Sequence, residues 1–221
     1  MLRLYHFPVC PFCRKVRVVL REKELAAELQ VEEPWRRRPE FVPLNPAVEV
    51  PVLEDGPLVV SDSAAICEYL EDAYPDRPLL GATLEERAET RRLVAWFDVK
   101  FNREVTDLLW REKLVKRLRA NAMPNSAAVR AGLANLRGHL EYVAYLIERR
   151  NWLAGDGLSL ADIAAAAHIS VVDYLGDVPW DDFPESKLWY ARIKSRPSFR
   201  PLLTDRLVGI APPLYYDDPD F

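Results

Sequence analysis

The chain has 221 residues, 49% of them apolar and 29% charged, a composition that suits a globular protein with enough length for two domains and a buried core. A net charge of −4 argues against a nucleic-acid partner, because phosphate binding needs a basic surface. No leader-like segment is read at the start, the alanine-rich run 163–172 carries His168 and is too short to span a bilayer, and the three cysteines are an odd, small set, so a cytoplasmic protein without membrane insertion is expected.

Residues 2–6, "LRLYH", read as a strand. A helix follows Pro11, with Val16, Val19 and Leu20 on one face and Arg14, Arg17 and Arg21 on the other. "AELQVEE" (27–33) is a second strand. "VPVLEDGPLVVSDS" (50–63) holds two β-branched runs around Asp55-Gly56 and reads as a hairpin. Ser61, Asp62 and Ser63 then offer caps to a helix in which Ala65, Ile66, Tyr69 and Leu70 keep helical spacing. Strand, helix, strand, hairpin and helix make a small mixed sheet with helices on it.

"YPDRPLLG" (74–81) reads as a linker. Beyond it, Thr83 and Glu86 form a capping-box pattern, and the chain reads as helical almost to its end, with breaks near 123–125, 155–157, 177–183 and Pro197. In "LSLADI" (158–163), Ser159 and Asp162 match a capping box and Leu158 and Ile163 a hydrophobic staple. An α/β domain therefore precedes an all-α domain.

Cys10 and Cys13 stand in "CPFC". A structural zinc site needs about four ligands, and the chain offers one such pair, Cys67 and three histidines, so no metal is expected. Thiol chemistry is the second reading. Cys10 lies just before a helix and Cys13 in its first turn, where free amides and the helix dipole favour an anion, and Arg14 and Lys15 add positive charge. Cys13, one turn on, is placed to resolve a mixed disulfide. In the third reading Cys13 is a small core residue and Cys10 is merely exposed. Cys67, on an apolar helix face, reads as packing.

Taken together and in order, "YHFPVCPFCRKVRVVL", "NPAVEVPVL", "SDSAAICEYL" and "LSLADIAAAAHIS" resemble the cytosolic glutathione S-transferases over about 1–205. The resemblance implies a thioredoxin-like glutathione-binding domain (1–77), a linker ending at 78–82, an all-helical domain (83–207) and an acidic-aromatic tail (208–221), usually as a homodimer. Glutathione is the implied co-substrate, and a small electrophile or mixed disulfide its reaction partner. Cys10 matches the catalytic cysteine of the omega-like branch, with Phe12 the aromatic beside it. His6 falls where another branch keeps a tyrosine. Val50 and Pro51 match a Val-cis-Pro pair whose backbone pairs with the cysteinyl unit. Asp62 and Ser63 match the pair that holds the γ-glutamyl end, and Arg38 falls where a basic residue meets the glycine carboxylate. Two departures stand out. Val48 replaces a usual glycine, and Glu49, where a basic or neutral residue is usual, places a carboxylate that repels an anionic ligand unless its side chain turns to solvent.

The second domain and tail, including "HLEYVAYLIERRNWLAGD", "DYLGDVPW", "SRPSFRPLL" and "APPLYYDDPDF", resemble an alphaproteobacterial branch of that family. This branch includes a division protein that binds the tubulin-like FtsZ, which implies FtsZ or another division protein as a partner and a non-catalytic interaction role as an alternative. The tail reads either as an ordered terminus or as an acidic-aromatic peptide that docks on a basic groove. Trp35, before three arginines, reads either as an exposed contact residue or as packed on the sheet. Trp96, Phe97, Phe101 and Trp110 read as core or as the wall of an apolar cleft, and His139 and His168 as satisfied packing residues.

Overall fold

The computed structural model describes residues 1–219, so Asp220 and Phe221 of the expected tail lie outside the described residues. The chain divides into two compact units, one ending at Leu79 and one beginning at Leu80. The first contains β1 (Leu2–His6), α1 (Pro11–Glu22), β2 (Ala27–Val31), β3 (Val52–Asp55), β4 (Leu58–Ser61) and α2 (Ser63–Ala73). The sheet order is β2-β1-β3-β4. β1 pairs parallel to β2 and antiparallel to β3, while β3 and β4 form the hairpin around Asp55-Gly56. Alternation in β1 sends Leu2, Leu4 and His6 into the interior and leaves Arg3 exposed.

The register fixes the site. Tyr5 lies opposite Val52, and Val52 lies opposite Ser61. The chain leaving β1 toward Cys10, the chain entering β3 through Pro51 and the chain leaving β4 toward Asp62 therefore meet at one end of the sheet. β2 stops two residues short of the sequence expectation, although the Glu32 amide still donates to the His6 carbonyl at 2.9 Å.

Helix α1 departs from the expected polar face. Arg21 is exposed, but Arg14 and Arg17 are buried. Their guanidinium groups turn back along the first turn, where Arg14 Nε donates to the Pro8 carbonyl at 3.0 Å and Arg17 Nη1 to the same oxygen at 3.4 Å. A long side chain buries its stem when an acceptor waits at its tip. Trp35 is half-buried and meets the Phe7 ring edge-on at 5.1 Å, so it packs on the sheet.

The second unit is helical. α3 (Leu84–Ala95) starts at a capping box in which Thr83 Oγ1 accepts from the Glu86 amide and Glu86 returns the bond to the Thr83 amide. The helix continues through a wide-turned π-helical stretch, Trp96–Val115, into α4 (Lys116–Ala120). α5 (Ser126–Ile147) is capped by Asn125 and lies against the π-helical stretch. A Cβ on Gly132 would stand 2.9 Å from both Leu108 and Leu109, so a small residue is required there. α6 (Leu160–Tyr174) is buried along its whole length, as a helix apolar on nearly all sides must be. α7 (Pro184–Lys194) and α8 (Arg200–Leu203) complete the unit.

Phe97 and Phe101 are core residues. Each of the two helical histidines is held by a hydrogen bond. His168 Nδ1 shares a 3.0 Å hydrogen bond with Thr106, and His139 accepts from Trp96 Nε1 at 3.1 Å. In the tail, Leu214–Asp217 form one 3₁₀ turn that buries Tyr216 edge-on against Tyr174 at 5.3 Å. Arg206 pairs with Asp217 beside it. Tyr216 thus anchors the described part of the tail to its own unit. Among the described residues, no helix is long and apolar enough to cross a membrane.

Candidate functional site at the end of the sheet

Pro11 opens α1 at its first position, where a missing amide costs nothing. Cys10 is the residue before it, extended at φ −97°, and it is only 5% exposed. Burial opposes ionisation of Cys10. A hydrogen bond from the Cys13 thiol, the backbone amides of Cys13 and Phe12 and the charge of Arg14 outweigh it, so the Cys10 thiol sits below its ordinary pKa. Cys13 behaves in the opposite way. Burial, with its hydrogen bond to Cys10 and the charge there, holds its proton well above the usual range. The Cys13 sulfur also accepts from the Phe7 amide at 3.4 Å. The pair therefore divides into one anion-prone sulfur and one proton-holding sulfur.

Beside the start of α1 lies a cleft of about 220 Å³. Phe12, Val50, Pro51, Asp62 and Ser63 all line it, so five of the residues implied by the resemblance come together. The Val50–Pro51 bond is cis, as the resemblance implied. Asp62 caps α2 by accepting from the amides of Ala64 at 2.7 Å and Ala65 at 3.3 Å, and it does so with a left-handed φ of +75°. A non-glycine residue in that region carries strain, which concentrates at functional sites.

Arg38 is not part of this cleft. It lines a separate depression with Arg3, Tyr5 and Glu40. Its Nε and Nη2 both donate to the buried carboxylate of Glu32, at 2.9 and 2.6 Å. The cleft's own lining contains Glu49 and Asp62 and, among the described residues, no Lys, Arg or His. Glu49 is exposed to solvent.

Two residues here escaped the sequence reading. Asn45 builds the loop before Pro51. Its side chain donates to the Glu49 carbonyl at 2.9 Å and accepts from the Ala47 amide at 3.1 Å. The Asn-Pro pair is a turn signal from which this role was accessible. Glu32, the partner of Arg38, had no local signal, because it sits at a strand end and the pairing depends on the tertiary fold.

Val48 occupies the usual glycine position with φ +55°, and it is buried against Phe41 and Val52. A β-branched residue is poorly suited to this backbone region. The ordinary preference for Ala over Gly should therefore reverse here. Val48→Gly is expected to be more stable than Val48→Ala by about 1 kcal/mol, measured by urea denaturation. An alanine variant at least as stable as the glycine variant would remove the strain argument.

Among the described residues, no three His, Cys, Asp or Glu side chains gather to hold a metal ion. The glutathione S-transferase N-terminal domain family matches residues 4–78, and the glutathione S-transferase C-terminal domain family matches residues 116–197. The chain is 50% identical to FtsZ-localized protein A of Caulobacter vibrioides, over 99% of this chain and 97% of that protein. A crystal structure of a glutathione S-transferase from Rhodospirillum rubrum F11 is 56% identical and superimposes with a TM-score of 0.98 over the whole of both chains. The structure of FzlA from C. crescentus is 49% identical, with a TM-score of 0.96 over 100% of this chain and 99% of that one. With both domain families matched in order, and relatives near half identity along the full length, this chain belongs to the glutathione S-transferase family.

Proposed function

We propose that this protein carries out glutathione-dependent thiol–disulfide exchange at Cys10. The observation that carries this reading is the asymmetry of the cysteine pair, a depressed Cys10 held by donors beside a Cys13 that keeps its proton. The Cys10 thiolate attacks the glutathione sulfur of a mixed disulfide. The S–S bond breaks, the departing thiolate takes a proton from solvent, and Cys10 carries glutathione. The thiolate of a second glutathione then attacks that bond, forms oxidised glutathione and returns Cys10 as thiolate. Cys13 is fully buried and disfavours ionisation, so it serves as the hydrogen-bond donor and external glutathione resolves the intermediate. Phe12, two residues along the chain from Cys10, and Val50, Pro51, Asp62 and Ser63 line the cleft at the start of α1 in which glutathione would lie. Arg38, held by Glu32, contributes less to it than the resemblance implied. The working form is a cytoplasmic homodimer.

The test is turnover of 2-hydroxyethyl disulfide with glutathione. A rate above background that disappears in Cys10→Ala supports the proposal, and a wild-type rate equal to background sinks it.

A second reading is favoured by one observation, the 50% identity over 99% of the chain to a protein named for its FtsZ localisation. In that reading the protein binds FtsZ or another division protein and turns over little. It predicts that Cys10→Ala pellets with FtsZ polymers as wild type does. Absence of the wild-type protein from the pellet would reject it.

A further inference from the structure

We infer that the cleft at the start of α1 selects γ-glutamyl thiols that carry one carboxylate fewer than glutathione, masked as an ester, an amide or an amine-bearing extension, over glutathione itself. The inference rests on the thiol-exchange reading above and specifies the substrate class of that site.

The argument is one of charge. The cleft is lined by Glu49 and Asp62, and none of its described lining residues is cationic. Arg38, the residue that the resemblance set against a ligand carboxylate, has its guanidinium engaged by Glu32 through two short hydrogen bonds and lines another depression. Glutathione at neutral pH carries two carboxylates and one ammonium. Its ammonium can be met by a carboxylate, but one of its own carboxylates then enters a cleft whose described lining offers no cationic side chain. At separations of several ångströms and an effective dielectric between that of water and that of a protein surface, one such repulsion changes an equilibrium constant by roughly 3- to 10-fold.

Glu49 is the group to which this selectivity is assigned. Its carbonyl is held by Asn45 at 2.9 Å, which fixes its backbone at the cleft lining. Asp62 is committed to capping α2 through the Ala64 and Ala65 amides, which share part of its charge. Glu49 is exposed and has no such task.

The experiment compares reduced glutathione with its glycine monoethyl ester. Binding is followed by calorimetry, and turnover by 2-hydroxyethyl disulfide reduction. The ester is expected to bind roughly 3- to 10-fold more tightly at low salt. That advantage should shrink toward one at about 1 M salt, where the Debye length is about 3 Å. Glu49→Gln should reduce the ester-to-glutathione ratio at least about threefold, by improving glutathione rather than weakening the ester. Equal binding of the two thiols, or tighter binding of glutathione, in a wild-type protein that turns over the disulfide overturns the inference alone. Failure of both thiols to support turnover overturns the exchange reading and the inference with it.

Discussion

Cys10→Ala is expected to reduce disulfide exchange to background, a fall of roughly 10³-fold or more, because it removes the nucleophile itself. Cys13 should behave differently. If its thiol donates to the Cys10 thiolate, Cys13→Ala leaves a working nucleophile with a higher pKa. Alkylation of Cys10 by iodoacetamide at neutral pH should then slow by roughly tenfold, the worth of one charge-assisted hydrogen bond of about 1.5 kcal/mol. The direction in pH follows from the sign of the shift. A thiol held below its ordinary value reacts at lower pH than a free thiol, and removal of a donor moves the inflection of the rate profile upward. Cys13→Ser retains an O–H donor and should restore most of the loss, which a merely structural role for Cys13 would not predict. A Cys13→Ser variant as slow as Cys13→Ala, or a Cys13→Ala variant with full alkylation rate, rules out the donor role. A resolving cysteine gives a third pattern, in which both Cys13 variants accumulate the glutathionylated protein.

The fold was legible where local chemistry and global packing agree. "LRLYH" alternates, Asp55-Gly56 is a turn, Thr83 and Glu86 make a capping box, and the break near 123–125 falls just before α5. Each signal is settled within about four residues. What the sequence hid depends on partners far along the chain. Arg14 and Arg17 have the spacing of a solvated stripe, yet both turn to Pro8, and no period predicts an acceptor behind the helix. Arg38 read as a free cation because Glu32 looks like the end of a strand, and only the fold brings the two together. The site was partly legible for the same reason. Cys10 and Phe12 follow from one motif and Asp62 and Ser63 from a helix start, but the sign of the charge around them needed the loop 45–51 in place. Val48 reports that loop's constraint, since its backbone keeps the left-handed turn of a glycine while its side chain packs as a valine.

Asp162 anchors the start of α6, and its loss should cost the helical unit several kcal/mol. Its two oxygens accept four hydrogen bonds. Oδ1 accepts from the Leu153 amide at 2.9 Å and from Trp189 Nε1 at 3.0 Å. Oδ2 accepts from the Ser159 amide at 3.0 Å and its hydroxyl at 2.9 Å. The side chain is fully buried. Burial raises its pKa, while the bonds from Leu153, Trp189 and Ser159 pull it back. Asp162→Ala leaves four donors without their acceptor at a fully buried position, so a cost of about 3–5 kcal/mol is expected. For a chain of this length that corresponds to a fall in Tm of roughly 10 °C or more, readable by far-UV circular dichroism. Asp162→Asn separates the two halves of the network. Its carbonyl oxygen can keep the Leu153 and Trp189 bonds, but its NH₂ group faces the two Ser159 donors, so its Tm should lie between wild type and alanine. The half that Asn preserves ties α6 to α7 through Trp189, whereas the half it loses closes the start of α6. An alanine variant within about 2 °C of wild type would mean that the network contributes under about 1 kcal/mol and that burial of α6 alone holds the helical unit together.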